Sequence, residues 1–191
     1  MGSLDLYLAR HGETEWSKSG RHTGRTDLPL LPEGEARAAQ LRPRLQGIQF
    51  HRVYTSPLVR ARRTAELAGF PDATPDDLLL EYDYGEYEGV TSAQIHEKRP
   101  HWELFRDGCP GGETPDQVYE RARRFIAQAE RDQGPVLAFA HGHILRAIGA
   151  AFLEQPVVFA ARLALDTAAL SLVQDGAHGR VLRLWNLAPG Q

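Results

Sequence analysis

The sequence predicts an α/β fold, a three-layer sandwich in which a mostly parallel sheet carries helices on both faces. Short runs rich in aliphatic and aromatic residues, most too short for helices, alternate with longer segments of helical period. That alternation is the pattern of parallel strands joined by crossover helices. In addition, two of the apolar runs, "LYLARHG" from Leu6 and "VLAFAHG" from Val136, each end in a His-Gly pair.

The expected elements follow in chain order. A strand at Leu4 to Ala9 opens the chain, and a Gly-rich, charged stretch from Glu13 to Leu30 follows it. A helix at Pro32 to Leu45 leads to a strand at Arg52 to Thr55. In "TSPLVRA", Ser56 offers an N-cap and Pro57 a first helical position where its missing N–H costs nothing, so a helix is expected at Pro57 to Ala68, stopped by Gly69. A second long loop, Tyr82 to Gly112, has room for one short helix. The helix at Pro115 to Arg131 starts with Thr114 as cap, Pro115 at its first position and Gln117 completing a capping box, and Gln133-Gly134-Pro135 ends it. The rest of the fold is a strand at Val136 to Ala140, a helix at Ile144 to Leu153, and strands at Leu170 to Gln174 and Arg180 to Trp185.

At 191 residues, 42% hydrophobic and 25% charged, the chain fits one globular domain with a substantial core. A net charge of −3 argues against a global attraction to nucleic acid or to an anionic membrane. The lone cysteine, Cys109, cannot make an internal disulfide and reads as a half-buried free thiol. No apolar stretch approaches a membrane span or a signal peptide, and "MGSLDL" misses the myristoylation pattern because Leu6 stands where Ser or Thr is wanted. The expectation is a soluble cytoplasmic protein. An exposed strand edge or helix leaves room for a homodimer.

In an open α/β sheet the ligand crevice lies beyond the carboxyl ends of the strands. Both histidines, His11 and His141, are expected there, with Gly12 and Gly142 letting the backbone turn and a ligand approach. A lone histidine could merely hydrogen-bond the covering loops; two at equivalent positions, one preceded by Arg10, favour a shared ligand. The Arg10 guanidinium suits a phosphate or carboxylate. Arg60, one turn into its helix, is a second candidate, and its neighbours Arg62 and Arg63 read as a solvated face. Of the carboxylates in "LLLEYDYGEYEG", Glu81 is the one best placed to enter the crevice, where a neighbouring phosphate dianion favours the protonated form that a general acid needs. Two histidines, two arginines and a carboxylic acid around one anion suit phosphoryl transfer through a histidine nucleophile.

The segments "LARHGETEW", "SPLVRA", "EYDYGEYEG" and "AFAHGHILRA" resemble, in order and spacing, the motif blocks of the histidine phosphatase superfamily, and their span covers nearly the whole chain. The resemblance implies the phosphoglycerate mutase-like fold as a single domain over residues 1–191. It also implies His11 as the phosphorylated nucleophile, Arg10, Arg60 and His141 as the phosphate pocket with a backbone N–H from Gly142, and Glu81 as proton donor. The first block looks like the mutase version, with Thr23 and Gly24 at its phosphate-contacting turn, but Ser17 stands where mutases usually carry asparagine. The insertion with paired arginines that mutases use has no equivalent between Gly89 and Gly112. "WELFRDGCPGGET" and "HGHILR" instead resemble the branch containing fungal sedoheptulose-1,7-bisphosphatases and some bacterial acid phosphatases. That comparison makes Tyr84, Arg106 and His143 candidate contacts to the rest of a sugar phosphate. Each has a plainer reading: Tyr84 packing beneath its loop, Arg106 pairing with Asp107 or Glu103, and His143 capping the following helix. His22 carries less weight.

The resemblance therefore implies a metal-independent phosphomonoesterase that needs no cofactor and acts on a small phosphorylated metabolite such as a sugar phosphate or bisphosphate. Its rivals are a phosphoglycerate mutase, a non-catalytic phospholigand-binding module, and a metal hydrolase built on His11, His141, His143 and a glutamate. Arg10 argues against the last, because a guanidinium beside a cation is repelled.

Overall fold

A computed structural model describes residues 4–190, so the lipidation pattern of the N-terminal residues falls partly outside it. Six strands, β1 (Asp5–Arg10), β2 (Arg52–Thr55), β3 (Thr74–Pro75), β4 (Val136–Ala140), β5 (Leu170–Gly176) and β6 (Gly179–Leu187), form one sheet in the order β3-β2-β4-β1-β5-β6. The pairs β3·β2, β2·β4 and β4·β1 are parallel; β5 runs antiparallel to β1 and returns through a hairpin to β6. The mostly parallel α/β architecture is as expected.

Among the described residues, eight α-helices accompany the sheet: α1 (Glu15–Ser19), α2 (Pro32–Ala39), α3 (Arg42–Leu45), α4 (Val59–Leu67), α5 (Ser92–Lys98), α6 (Leu104–Asp107), α7 (Pro115–Ala129) and α8 (Gly142–Phe152). The central strands alternate apolar residues to both faces. Leu6, Leu8, Val136 and Ala138 meet Phe125 of α7 and Ile148 of α8, while Ala9, Leu137 and Phe139 meet Leu45 of α3 and Ala65 of α4. Each fully buried large aliphatic side chain contributes roughly 1.5–3 kcal/mol, so this double-sided burial is what holds the central strands rigid.

Several boundaries differ from expectation for identifiable reasons. The helix expected at Pro32 to Leu45 is two pieces, because Pro43 inside one helix would lack an N–H and press its ring on the Ala39 carbonyl. Ser56 does not cap the next helix and Pro57 is not its first residue. Helix α4 starts at Val59, its N-cap Leu58 has no side-chain bond, and Asp27 Oδ1 from the first long loop takes the Val59 N–H at 2.8 Å. The two-residue edge strand β3 was not expected; it is exposed, contains proline and carries no periodic signal. The second long loop holds two short helices, α5 and α6. Helix α8 begins at Gly142, with His141 as its N-cap between it and the end of β4. The Thr114–Gln117 capping box is present as read, and α7 passes into a 3-10 turn, Glu130–Asp132, before Gln133 at φ 51°.

Sheet register sets the site. Arg10 pairs with Ala140 across β1·β4, and the His11 N–H donates to the Ala140 carbonyl at 2.9 Å. His11 and His141 are therefore neighbours one residue beyond adjacent parallel strands, at the carboxyl edge.

Candidate active site

The two imidazoles lie 5.1 Å apart between ring centroids, and both are buried. His11 Nδ1 is 2.7 Å from the Gly12 carbonyl. A carbonyl only accepts, so Nδ1 carries the proton and Nε2 keeps its lone pair. Burial first, and then the Arg60 and Arg10 charges, hold His11 well below the usual histidine range, so it stays neutral. His141 is fixed in the opposite tautomer by a different device. Arg60 Nε donates to His141 Nδ1 at 3.0 Å, leaving Nε2–H to donate to Ser56 Oγ at 2.7 Å. Burial, followed by Arg60, also holds His141 well below its ordinary value. Ser56, expected as a helix cap, thus belongs to the histidine pair; only the structure could reveal that, since "TSP" fits a cap equally well.

Arg10 lies beside them, half-buried, with its Nε fully enclosed. Its Nη1 donates to the Leu165 carbonyl, while its Nε has no partner. Burial lowers its pKa, against the Glu81 charge, which raises it. A Cβ at Gly142 would sit 3.4 Å from the Arg10 guanidinium, so the glycine lets that planar group lie against the start of α8. Gly12 serves packing instead: a Cβ there would come within 2.4 Å of the Gly34 carbonyl of α2. Neither glycine has a positive φ, so the sharp turn expected behind each histidine is not what they provide.

Glu81 follows a 3-10 turn, Asp77–Leu79, that Asp76 caps. Its Oε1 accepts from the N–H groups of Tyr82 at 2.8 Å and Ile144 at 2.9 Å, and its Oε2 from that of His143 at 3.0 Å. The carboxyl group therefore occupies the N-terminus of α8 and takes the second and third donors of its first turn. These bonds leave over the first donor, the Gly142 N–H, for an anion.

A cleft of about 220 Å³ opens over this floor. Arg10, His11, Glu81 and Gly142 form its base. Tyr84, His143 and His22, whose rings touch one another, line it together with Arg146, Ser17, Arg21, Thr23 and Ser92. Tyr84 OH and His143 Nδ1 are 2.5 Å apart, and Tyr84 stacks on Tyr82 with ring centroids 5.6 Å apart. Burial drives the Tyr84 phenol well up and the His143 imidazole well down, so both are neutral. Of the plainer readings, capping by the His143 side chain is absent. His22, given little weight from sequence, is buried in this lining, with Nδ1 2.7 Å from the Val90 carbonyl. Arg146 was not singled out at all. Its Nε donates to the Ala160 carbonyl, its guanidinium lies 5.2 Å from the Phe105 ring centroid, and no carboxylate among the described residues pairs with it. Its sequence signal was its place one helical turn beyond Gly142.

Three expected contacts are placed differently. Arg60 does not line the cleft: besides His141, it donates to the carbonyls of Thr26, Thr23 and Gly24 at 2.9–3.1 Å, which uses four of its five N–H groups. Through these bonds it supports the floor of the cleft. The Gly24 N–H is taken by Glu88, whose carboxylate also accepts from Thr26. Arg106 is exposed, pairs with Asp107 at 2.7 Å, donates to the His101 carbonyl, and lines a separate groove with Pro156 and Val158, so its plainer reading holds. Ser17 reaches the cleft rim while completing the Thr14 capping box of α1. Cys109 is buried rather than half-buried, with its thiol pushed up to about 12 by burial. No group of three or more His, Cys, Asp or Glu among the described residues is arranged to hold a metal, and no described helix is long and apolar enough to cross a membrane.

Comparison with known proteins places these features in context. The sequence profile of the histidine phosphatase superfamily (branch 1) matches residues 6–188. An acid phosphatase of Mycobacterium tuberculosis is 40% identical over 172 residues, 87% of this chain and 84% of that protein. The sedoheptulose 1,7-bisphosphatase of Saccharomyces cerevisiae is 38% identical over 173 residues, 73% of this chain but only 64% of the yeast protein. Among solved structures, that of the Mycobacterium tuberculosis open reading frame Rv3214 superposes with a TM-score of 0.93 at 36% identity, covering 97% of this chain and 98% of that one.

Proposed function

The chain belongs to the histidine phosphatase superfamily and is a phosphatase, and from that premise we propose that it hydrolyses phosphomonoesters without a metal, through a phosphohistidine on His11. The observation that carries the reading is the buried, unpartnered Nε–H of Arg10, held beside two neutral histidines and the leftover Gly142 N–H. A buried guanidinium donor with no acceptor calls for an anionic oxygen.

The chemistry runs in two displacements. The Nε2 lone pair of His11 attacks phosphorus and the P–O bond to the leaving group breaks, with Glu81 giving its proton to the departing alkoxide. Arg10, the Gly142 N–H and the His141 Nε2–H, which exchanges Ser56 Oγ for a phosphoryl oxygen, hold the charge that builds on the equatorial oxygens. Glu81, now a carboxylate, then takes a proton from water as the water oxygen attacks phosphorus. The P–N bond breaks, inorganic phosphate leaves, and His11 and Glu81 return to their starting forms.

The substrate class is a small sugar phosphate or bisphosphate. The cleft holds only a small molecule, and its lining includes Arg146, a cation with no acidic partner among the described residues, together with hydrogen-bonding groups on Tyr84 and His143. The sugar bisphosphate named for the yeast relative fits the same chemistry. Phosphate release from a panel of sugar phosphates, bisphosphates, 3-phosphoglycerate and p-nitrophenyl phosphate, in EDTA and with His11→Ala as control, tests it. Preference for a sugar bisphosphate that Arg146→Met removes supports the whole reading. Activity lost in EDTA or kept by His11→Ala overturns the mechanism, and transfer of phosphate between positions of a phosphoglycerate makes the chain a mutase.

A further inference from the structure

Glu81 is held by its carboxyl group to α8, but its backbone belongs to an irregular segment, residues 78–88, with no strand or long helix of its own. What fixes that segment is a largely buried ion pair that the proposed chemistry does not use. Arg121, in the second turn of α7, donates from Nε and Nη2 to the two oxygens of Glu113 at 2.9 and 2.7 Å. Its remaining donors reach the carbonyls of Leu78, Leu80 and Glu81. Glu113 completes the frame on the other side: its Oε2 accepts from the Asp83 N–H at 2.9 Å, and its own N–H donates to the Asp83 carbonyl at 2.9 Å.

We propose that the Glu113–Arg121 pair is a positioning device for Glu81, clamping the backbone on both sides of the acid so that its carboxyl group meets the leaving oxygen. Four carbonyls and one N–H within six residues, all centred on Glu81, are tied to one end of α7. That helix is a firm base, with Val118, Ala122 and Phe125 fully buried, and it packs against α8, which supplies the donors to the carboxyl oxygens. The backbone and the carboxyl group of Glu81 are therefore anchored to two helices packed on one another. A guanidinium is needed at residue 121 because one planar group must face a carboxylate with one edge and three carbonyls with the rest. A lysine offers three donors from a single point and cannot span them. An isolated ion pair kept for stability alone would not need to reach three backbone carbonyls within four residues at the acid.

This proposal rests on Glu81 as the acid, and the experiment separates the two. kcat and KM are measured for Arg121→Met, Arg121→Lys, Glu113→Gln, Glu81→Gln and the double variant Glu81→Gln with Arg121→Met, on p-nitrophenyl phosphate and on an alkyl phosphate. The alkoxide of the second ester needs protonation; nitrophenolate does not. Arg121→Met is expected to lower kcat on the alkyl ester at least about tenfold more than on p-nitrophenyl phosphate, with KM little changed, as misplacement of one catalytic group does. Arg121→Lys and Glu113→Gln show the same selectivity in smaller degree, and they carry the test if Arg121→Met does not fold. On the alkyl ester the double variant is no slower than Glu81→Gln alone, because the clamp acts through the group already removed. Equal losses on both esters, or additive losses in the double variant, overturn the clamp while leaving Glu81 as acid. If Glu81→Gln itself shows no dependence on the leaving group, the acid role fails and the clamp fails with it.

Discussion

Arg60 Nε donates to His141 Nδ1 at 3.0 Å, and through that bond a fully buried cation determines which nitrogen of a neighbouring histidine carries its proton. The same guanidinium closes the first long loop by donating to the carbonyls of Thr23, Gly24 and Thr26. Arg60→Met strands these acceptors and frees the His141 tautomer. The expected loss is about 2–4 kcal/mol in unfolding free energy, as for other buried polar networks broken from one side. A fall of about a hundredfold in kcat/KM should accompany it, because the floor of the cleft is displaced. Urea denaturation together with kinetics on p-nitrophenyl phosphate measures both; a variant as stable and as active as the parent contradicts the assignment.

Brief mixing with a radiolabelled substrate, followed by quenching, should leave label on the protein that survives alkali and is lost in acid, the behaviour of a phosphorus–nitrogen bond. His11→Ala should carry none and should fall to the background rate, since no other described residue offers a neutral imidazole with its lone pair free at the base of the cleft. Acid-stable label on a hydroxyl or carboxyl group would redirect the mechanism to another nucleophile.

Acid should weaken the fold through its histidines. His11, His141 and His143 are held well below 6.5, and His22 below it, in each case chiefly by burial. Unfolding returns them to the ordinary value. Below about pH 6.5 the unfolded chain therefore binds protons that the folded chain refuses, and stability falls as pH drops from there toward the depressed folded values. The slope approaches about 1.4 kcal/mol per pH unit for each histidine involved. Urea midpoints between pH 7.5 and about 5 report it, and a flat profile contradicts the burial argument. The same depression keeps His11 neutral under mildly acidic conditions, where the step that needs protonated Glu81 is favoured, so the expected activity optimum is mildly acidic. A rate that climbs steadily past pH 9 is incompatible with that.

Gly12→Ala probes a contact between elements rather than a ligand. The added methyl group meets the Gly34 carbonyl at 2.4 Å, both partners are backbone, and α2 must move away from the end of β1. A loss of about 1–3 kcal/mol, typical of overpacking, should appear in thermal and urea unfolding. An unchanged melting temperature shows that α2 can shift freely.

Much of this architecture was legible before any coordinates. The central strands could be read because both faces of β1 and β4 are apolar over short runs rich in aliphatic and aromatic residues, and α7 because Thr114, Pro115 and Gln117 mark its start chemically. Arg10, His11 and His141 were legible because strand register brings residues at the ends of neighbouring strands together; Glu81, expected at the end of an apolar run, follows a 3-10 turn instead and reaches them through the N-terminus of α8. What escaped depends on partners far away in sequence. Ser56 fits a helix cap locally and is claimed by a histidine 85 residues on. Asp27 takes over the capping across a loop. Arg106 sits in a motif-like segment, yet its nearest carboxylate, Asp107, is next in the chain and holds it away from the cleft. Arg146 and His22 looked ordinary because nothing nearby in sequence tells that their elements face the same space.

The carboxyl group of Glu81 also serves as the N-terminal cap of α8. Functional carboxylates are often a liability to the fold that holds them, and deleting one then makes a protein sturdier. Here the trade runs the other way: truncating Glu81 to alanine removes the proposed acid and strands two donors at the head of a core helix, so loss of activity and loss of robustness are expected together. Selection for a sturdier scaffold and selection for turnover therefore pull in one direction at this position. An inert variant meant to trap a bound ligand is better made at His11, leaving the helix cap intact.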